Sequence, residues 1–369
     1  MRERAEREAR DFTVVGRAES PVLRRFVDGL ARVFRERGYA QVEPYPGVHL
    51  VFNVIDAAAA RPYHRHAQAT YVVSIAEAPE PPADVLLAAY PLMIRSLSNL
   101  FLYVVPDGEE VRTYFITLER GYYPVRASFE EPERFYAELF ERLEPLASSH
   151  LVINNVFDPD LPERLWNGDE HMDEMRRASR KLGALHLNPA PFPIEKLLPE
   201  SDFRHVQRLY QIGGLSYGNL SVRRDENDFW MSASGVDKTN IRQVGRDALL
   251  VKGYVEEDDA IHLSVPPVVT PRRVSVDAIE HWMIYRENPK VGAVLHVHAW
   301  IPGIDATEIN YPCGTLEIAQ AVAEKVRTAP DPRHAIVGLK NHGMTITGES
   351  LDEIFERIEG KVVRQVPML

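Results

Sequence analysis

Three histidines near the end of the sequence have the residue type and spacing of a metal site. His296 and His298 stand two residues apart at the end of the apolar run 291–295, and His342 precedes a glycine further on. Side chains alternate between the two faces of a β-strand, so the first two imidazoles would point to the same side. Three protein nitrogens that leave a fourth position open are typical of a catalytic metal, which polarises a substrate oxygen or activates water.

The pair of histidines is a weak signal by itself, because two such residues often form a half-buried polar pair on a strand. The elements around them favour the metal hypothesis. The sequence predicts a helix over 276–287, a strand over 291–298 and another strand over 335–339. The ligands would then lie at the carboxyl ends of strands, where α/β folds form many of their sites. Gly343 predicts a tight turn that aims His342 at the ion.

Five short motifs occur in one order along the second half of the chain. They are 217–223 (Tyr-Gly-Asn-Leu-Ser-Val-Arg), 234–238 (Ser-Gly-Val-Asp-Lys), Asp277, the pair His296 and His298, and 341–343 (Asn-His-Gly). In this order they make residues 195–369 resemble the class II aldolase and adducin family. The resemblance implies a three-layer α/β/α domain that acts on a small molecule. It also implies a divalent ion on the three histidines, zinc in the first place, with manganese or cobalt as alternatives.

Asp277 stands nineteen residues before His296, where the family carries its catalytic or metal-contacting acid. Aldolases of the family usually have glutamate at this position, whereas the related pentulose-phosphate 4-epimerases have aspartate. The resemblance therefore implies that Asp277 moves a proton during the reaction. The structural alternative is a helix N-cap, since an aspartate before a helix can accept hydrogen bonds from free backbone N–H groups.

Small polar residues form a candidate anion site. They are Gly218, Asn219, Ser234, Gly235 and Ser275. In turns, their backbone N–H groups and short side chains can surround a phosphate or a carboxylate, although ordinary loops use the same residue types. Val276 stands where many sugar-phosphate members of the family carry a second serine. A carboxylate or a smaller anion is therefore more plausible than a phosphate.

The segment between the second and third histidines is short for the family. In the family a longer insert supplies a tyrosine or an aspartate that protonates the leaving group. Tyr311, Asp305 and Glu308 remain as candidates for this role, and the simpler interpretation of each is a solvated loop residue. The loss of the insert leaves the second acid of the reaction open.

The first half of the sequence gives no comparable signal. We predict a mixed α/β domain over 1–187, a proline-rich linker over 188–195 and the class II aldolase-like domain over 196–369. His64 and His66 repeat the spacing of the C-terminal pair. Because no third nitrogen or thiolate stands at a suitable distance, we expect them to be surface histidines.

Composition limits the class of protein. The chain has 369 residues, 45% of them hydrophobic, which predicts two domains with real cores. A net charge of −11 argues against nucleic acid as a partner, because a phosphate backbone needs a basic surface. The single cysteine, Cys313, excludes a disulfide framework. A reactive thiol near the site is one interpretation of it, but a lone cysteine is more often an inert small hydrophobe. The apolar window 85–105 is interrupted by polar residues and predicts a core helix and a strand, so we expect a cytoplasmic protein without a membrane partner.

We predict a metal-dependent aldehyde-lyase of the aldolase type, which acts on a small hydroxy-carbonyl or sugar-derived compound through a metal-stabilised enediolate. A sugar-phosphate epimerase or a dehydratase of the same fold would use the same chemistry and stays open. From another class, a non-catalytic adducin-like interaction module would suit the shortened loop, but it gives no reason to keep three converging histidines. Family members usually form fourfold rings, which implies a homotetramer.

Overall fold

The computed structural model describes residues 10–185 and 218–369, together with 187 and 200 and apart from 66, 68, 69, 109 and 120. The described chain forms two compact units. The first contains the residues up to Ser149 together with Met368 and Leu369, and the second contains 150–187 and 218–367. None of the helices in these ranges has the length and apolarity that crossing a lipid bilayer requires.

The first unit is a mixed α/β unit, as predicted. Within the described ranges its sheet has the strand order β2-β1-β3-β4-β5-β6-β7, with β1 to β5 parallel and the last two antiparallel. The strands are β1 (Asp11–Val15), β2 (Ala40–Gln41), β3 (Leu50–Val54), β4 (Tyr71–Glu77), β5 (Leu100–Asp107), β6 (Glu110–Thr117) and β7 (Gly121–Pro124), and the helices are α1 (Pro21–Glu36), α2 (Val85–Arg95) and α3 (Pro132–Ser148). The window 85–105 forms α2 and most of β5, which confirms the prediction of a core helix followed by a strand.

The second unit contains the motifs. Its sheet has the order β14-β15-β13-β9-β10-β11-β12-β8 and is antiparallel except where β12 meets β8. The strands are β8 (Asn154–Asp158), β9 (Gly218–Arg223), β10 (Phe229–Ser232), β11 (Ala248–Val255), β12 (Ala260–Ser264), β13 (Ala293–Val297), β14 (Ile336–Leu339) and β15 (Gly343–Gly348), and the helices are α4 (Glu170–Ala184), α5 (Ala278–Glu287), α6 (Leu316–Thr328) and α7 (Leu351–Ile358).

Helices cover both faces of this sheet, which confirms the three-layer α/β/α architecture. On one face, Ile279 of α5 and Val322 of α6 pack in one core with Val294 of β13. On the other face, Met175 of α4 packs in a second core with Leu295 of β13 and with residues of α7. Alternation along β13 therefore sends successive apolar residues into two different cores.

The division between the compact units precedes the boundary that composition suggested near residue 187. Strand β8 pairs in parallel with β12, from Asn154 opposite Ala260 to Asp158 opposite Ser264. Helix α4 buries its apolar face in the second unit. Residues 150–185 thus belong to the C-terminal unit, because a strand and a helix of this stretch complete its layers. The proposed linker 188–195 lies outside the described residues.

Candidate metal centre

Strand β13 brings the first two histidines to the same side of the sheet. Val294 faces the core beneath α5 and α6, whereas Leu295 and Val297 face the opposite core. His296 is therefore the next residue on the α5 side, and His298 directly follows the strand. The centroids of their rings lie 5.1 Å apart. The spacing of two residues places the imidazoles together, as predicted.

The hairpin of β14 and β15 supplies His342. In this turn Asn341 has a φ of 58°, a left-handed conformation that asparagine tolerates better than most residues. Gly343 is the first residue of β15 and not the left-handed residue of the turn. A Cβ at this position would come within 2.4 Å of the carbonyl oxygen of Val297 on β13. The glycine is therefore needed for the close approach of two strands, which corrects the role expected from the sequence.

The three imidazoles converge. The ring centroid of His342 lies 5.1 Å from that of His296 and 4.1 Å from that of His298. One nitrogen of each ring lies within 4.8 Å of the other two. In the described part of the chain, no group hydrogen-bonds the buried Nε2 of His296. A buried polar atom is costly unless something binds it, so this atom and its two neighbours fit a divalent ion such as zinc.

The surroundings of His296 and His298 favour the neutral imidazole, which is the form that binds a metal ion. Burial lowers the pKa of His296 and His298 well below the usual range for histidine, and the neighbouring His342 acts in the same direction. A neutral imidazole has a lone pair on one nitrogen, whereas a protonated one has none. Desolvation thus prepares both rings for ligation.

Asp277 lies at the N-cap position of α5, but its side chain makes no capping bond among the described residues. Its Oδ2 instead accepts a hydrogen bond from Nδ2 of Asn219 at 2.6 Å. Asn219 lies on β9 directly opposite His296 of β13. The buried carboxylate is therefore held by the strand next to the histidines, which favours the functional interpretation over the cap.

A second buried carboxylate lies one turn further along α5, and the sequence interpretation missed it. Glu280 is 1% exposed, and its Oε1 accepts a hydrogen bond from Oγ1 of Thr345 at 2.6 Å. The same Oγ1 lies 3.2 Å from Nδ1 of His296. Burial, together with the nearby charge of Asp277, raises the pKa of Glu280 to about 8. The i, i+3 spacing of the two acids is the signal that the sequence offers, since such residues share one face of a helix.

Two buried bases complete the polar surroundings. Nζ of Lys238 donates to the carbonyl oxygen of Gly218 at 2.7 Å, and burial lowers the pKa of this amine to about 8 although the charge of Asp277 opposes the shift. Nδ1 of His281 lies 2.7 Å from Oγ of Ser221, and burial lowers the pKa of this ring to about 3. Lys238 thereby adds a positive charge to the surroundings of Asp277.

The predicted anion-binding residues fall into two groups. Gly218 and Asn219 begin strand β9 and do not form a turn, contrary to expectation. The pairing of β9 with β13 explains the difference, because a Cβ at Gly218 would come within 2.5 Å of the carbonyl oxygen of His296. These two residues shape the site by bringing β9 close to the histidine strand.

The second group comes from two segments that are joined by a backbone hydrogen bond. The backbone N–H of Ser234 donates to the carbonyl oxygen of Arg273 at 2.8 Å, which joins the turn after β10 to the segment before α5. Gly235 has a φ of 66°, so this turn needs a residue without a side chain. Ser275 is buried two residues before Asp277.

The shortened loop places Cys313 against the third histidine. Sγ of Cys313 lies 3.3 Å from Nε2 of His342, so the thiol contacts the third histidine and is not an inert hydrophobe. Asp305 is exposed and bonds to Lys325 at 2.6 Å, and Glu308 is exposed as well, in agreement with solvated loop residues. Tyr311 is half-buried against the core beneath α5 and α6.

The chain contains two other groups of potential ligands, Asp169 with Glu170 and His171, and His64 with His66. Oδ1 of Asp169 accepts hydrogen bonds from the backbone N–H of Met172 and from Nε1 of Trp230, at 3.1 and 2.9 Å, so this acid caps α4 and ties it to β10. His64 is exposed, as predicted, whereas His66 lies outside the described residues. Neither group resembles the converging histidines.

Comparison with known proteins gives a partial match. Residues 204–301 match the family model described as Class II Aldolase and Adducin N-terminal domain. The chain is 26% identical over 174 residues to a methylthioribulose-1-phosphate dehydratase of Citrobacter koseri, which covers 39% of this chain and 78% of the relative. It is 24% identical over 173 residues to an L-fuculose phosphate aldolase of Methanococcus vannielii, and the match covers 41% of this chain and 82% of that relative. Among solved structures, an L-fuculose 1-phosphate aldolase aligns with a TM-score of 0.35 and 19% identity, covering 52% of this chain and 81% of that one.

Proposed function

We propose that the second unit, whose residues 204–301 match the family model for class II aldolases and adducins, is a metal-dependent lyase of the aldolase type. The proposed substrate is a small hydroxy-carbonyl or sugar-derived compound. The observation that carries the proposal is the convergence of His296, His298 and His342, with one nitrogen of each ring within 4.8 Å of the others. His296 is buried, and so are the two carboxylic acids Asp277 and Glu280, which give the site the parts that proton transfer next to a carbonyl needs.

Each buried group has a definite task in this reaction. A zinc ion on the three histidines would supply Lewis acidity to the carbonyl of the substrate. Asn219 holds Oδ2 of Asp277, and we assign to Oδ1 the proton that leaves or returns to the carbon beside the carbonyl. Lys238, whose Nζ donates to the carbonyl oxygen of Gly218, adds a positive charge to the surroundings of Asp277.

We assign the anionic end of the substrate to Ser234, Gly235 and Ser275. The backbone bond between Ser234 and Arg273 brings the two segments together before any ligand arrives. Gly218 and Asn219, which join them in the anion hypothesis, act through the position of β9 and through Asp277. The anion that we propose is a carboxylate, because Val276 stands where many sugar-phosphate members of the family carry a second serine, and a phosphate is the alternative to compare with it.

A dehydratase is the second candidate, because one of the relatives reported above carries that name. Loss of water next to a carbonyl begins with the same proton removal, so Asp277 would have the same role. An epimerase of the same fold stays open for the same reason. An interaction module is the alternative from another class, and it predicts that the histidines bind no ion.

The test is elemental analysis of the purified wild-type protein, of His296→Ala and of His342→Ala, with His262→Ala as a control at a half-buried histidine of the same unit. We expect close to one equivalent of zinc, manganese or cobalt in the wild type and the control, and its loss in both site variants. Absence of metal from the wild type after reconstitution would overturn the enzyme proposal and favour the module.

Product analysis then distinguishes the lyase reaction from the dehydratase reaction. Small hydroxy-ketones with and without a phosphate are incubated with aldehydes, and proton NMR distinguishes a new carbon–carbon bond from loss of water. A homotetramer, which the family resemblance implies, stays a prediction that sedimentation analysis tests. The cytoplasmic location also stays a prediction.

A further inference from the structure

We propose that Glu280 and Thr345 form a hydrogen-bonded relay that fixes the tautomer of His296, so that its Nε2 is the atom that binds the metal. Both would be positioning residues, since they act through the histidine. The inference rests on the proposed metal centre but needs neither a known substrate nor a lyase reaction.

The relay joins three buried side chains from three elements. Thr345 of β15 lies directly opposite His296 of β13 in the strand register. Its Oγ1 is 3.2 Å from Nδ1 of His296 and 2.6 Å from Oε1 of Glu280 on α5. The exposed fractions of Glu280, Thr345 and His296 are 1%, 0% and 1%. Water therefore does not compete for these hydrogen bonds.

The direction of the relay follows from counting protons. A threonine hydroxyl has one proton, and in the relay that we propose this proton is donated to the carboxyl oxygen of Glu280. The remaining lone pairs of Oγ1 can only accept, so Nδ1 of His296 must carry the hydrogen. In a neutral imidazole Nε2 then has the free lone pair. This is the buried atom that has no hydrogen-bond partner in the described part of the chain.

The reverse direction would prevent metal binding. If a protonated Glu280 donated to Thr345, the hydroxyl could donate to Nδ1, and Nε2 would carry the hydrogen. Ligation by Nε2 therefore requires Glu280 to accept. Oε1 can do so in the ionised acid and also in the neutral acid, provided that the proton is on the other oxygen. A fully buried carboxylic acid is costly without a partner, which gives its contact with Thr345 a purpose beyond packing.

The first test measures the tautomer without metal or substrate. Long-range ¹H–¹⁵N NMR of metal-free protein with ¹⁵N-histidine, assigned by comparison with His296→Gln, distinguishes a hydrogen on Nδ1 from one on Nε2. We expect the Nδ1–H form in the wild type and in Thr345→Ser, and a mixture in the isosteric Thr345→Val. Thr347→Val is the matched control, because it removes a buried hydroxyl two residues away on the same face of β15. An Nε2–H form in the wild type would overturn the proposal.

The second test measures affinity for zinc or cobalt by competition with a chelator. Loss of an outer partner of a metal-binding histidine typically lowers affinity about 10- to 100-fold. We expect such a loss in Thr345→Val and Glu280→Leu, and affinity within about threefold of the wild type in Thr345→Ser, Glu280→Gln and Thr347→Val. Wild-type affinity for metal in Thr345→Val would overturn the relay. If Glu280→Leu does not fold, the result for Thr345→Val alone decides. Metal binding without lyase activity would contradict the proposed reaction and leave the relay standing.

Discussion

The two acids of the site differ in their partners more than in their chemistry. Asp277 accepts from an amide on β9, whereas Glu280 accepts from a hydroxyl on β15 that also contacts a histidine. We assign proton exchange with the substrate to the first acid and propose that the second orients a metal-binding histidine. The hydrogen-bond partners of the two acids therefore distinguish the roles that we assign to them.

Replacement of Asp277 by asparagine should separate catalysis from metal binding. The variant keeps the shape of the side chain but cannot take a proton, so we expect turnover to fall by about 10²- to 10⁴-fold. Metal content should stay near that of the wild type. The measurement is exchange of the proton beside the carbonyl of a small hydroxy-ketone into deuterated water, with zinc determined on the same samples.

Asp305→Asn provides the matched control for this experiment. Its side chain is exposed and bonded to Lys325, so both turnover and metal content should be unchanged. Wild-type exchange in Asp277→Asn would contradict the assignment of this acid as the proton carrier.

The pKa of His281 predicts how acid affects stability. Burial lowers this pKa to about 3 from 6.5, so between these two values the unfolded chain binds a proton that the folded protein does not. The free energy of unfolding must then fall as the pH drops below 6.5, by up to about 1.4 kcal/mol per pH unit from this one group. Urea unfolding of metal-free protein between pH 7 and 4 measures the slope.

In His281→Gln this contribution is absent, so the slope should be shallower than that of the wild type. The comparison variant is His262→Gln, at a half-buried histidine that bonds to Asp258. Equal slopes in His281→Gln and the wild type would show that His281 does not bind a proton on unfolding.

Strand packing explains why glycines flank the histidine strand on both sides. Gly218 of β9 and Gly343 of β15 each face a carbonyl oxygen of β13 at a distance that excludes a Cβ. Both neighbouring strands can therefore come close enough for Asn219 and His342 to take part in the site. The geometry of the metal centre thus depends on two residues without side chains.

Gly343→Ala should therefore damage the metal centre. The added Cβ would lie 2.4 Å from the carbonyl oxygen of Val297, so β15 must move away from β13 and take His342 with it. We expect loss of zinc affinity by at least about tenfold, measured by chelator competition. Gly303→Ala is the control, because a Cβ there meets nothing within 4 Å. It should lose about 1 kcal/mol of stability through its left-handed backbone and keep the metal.

The three histidines could be predicted from the sequence, but not all of the residues that contact and position them. The convergence of two histidines that stand two positions apart after an apolar run follows from strand periodicity, which needs no tertiary information. Thr345 and Glu280 are far apart in sequence, and their contact depends on how α5 lies over the sheet. Cys313 and His342 are also far apart in sequence, so their contact could not be predicted without the tertiary structure. The sequence predicts the wrong role for Gly343, that of a turn residue. A glycine in a turn cannot be distinguished by sequence from a glycine where two strands approach closely.

For the whole molecule, the unexpected feature is the place at which the second unit begins. Strand β8 adds an edge to its sheet beside β12, and α4 covers one face. A short strand followed by a helix gave no sign in the sequence of which unit it would join. Helix α4 buries Met172, Met175 and Leu182, and each large apolar side chain contributes about 1.5–3 kcal/mol. The sum is comparable to the net stability of a typical domain, about 5–15 kcal/mol.

Truncation at the two candidate boundaries should therefore give opposite results. A chain of residues 150–367 keeps β8 and α4, so we expect it to unfold cooperatively and to bind one metal ion. A chain of residues 188–367 lacks both elements and exposes the apolar face that α4 covers, so we expect weak cooperativity, aggregation and little metal. Circular dichroism during heating and elemental analysis measure the two properties. If the shorter chain folded and bound metal as well as the longer one, residues 150–187 would not be part of the domain that forms the site.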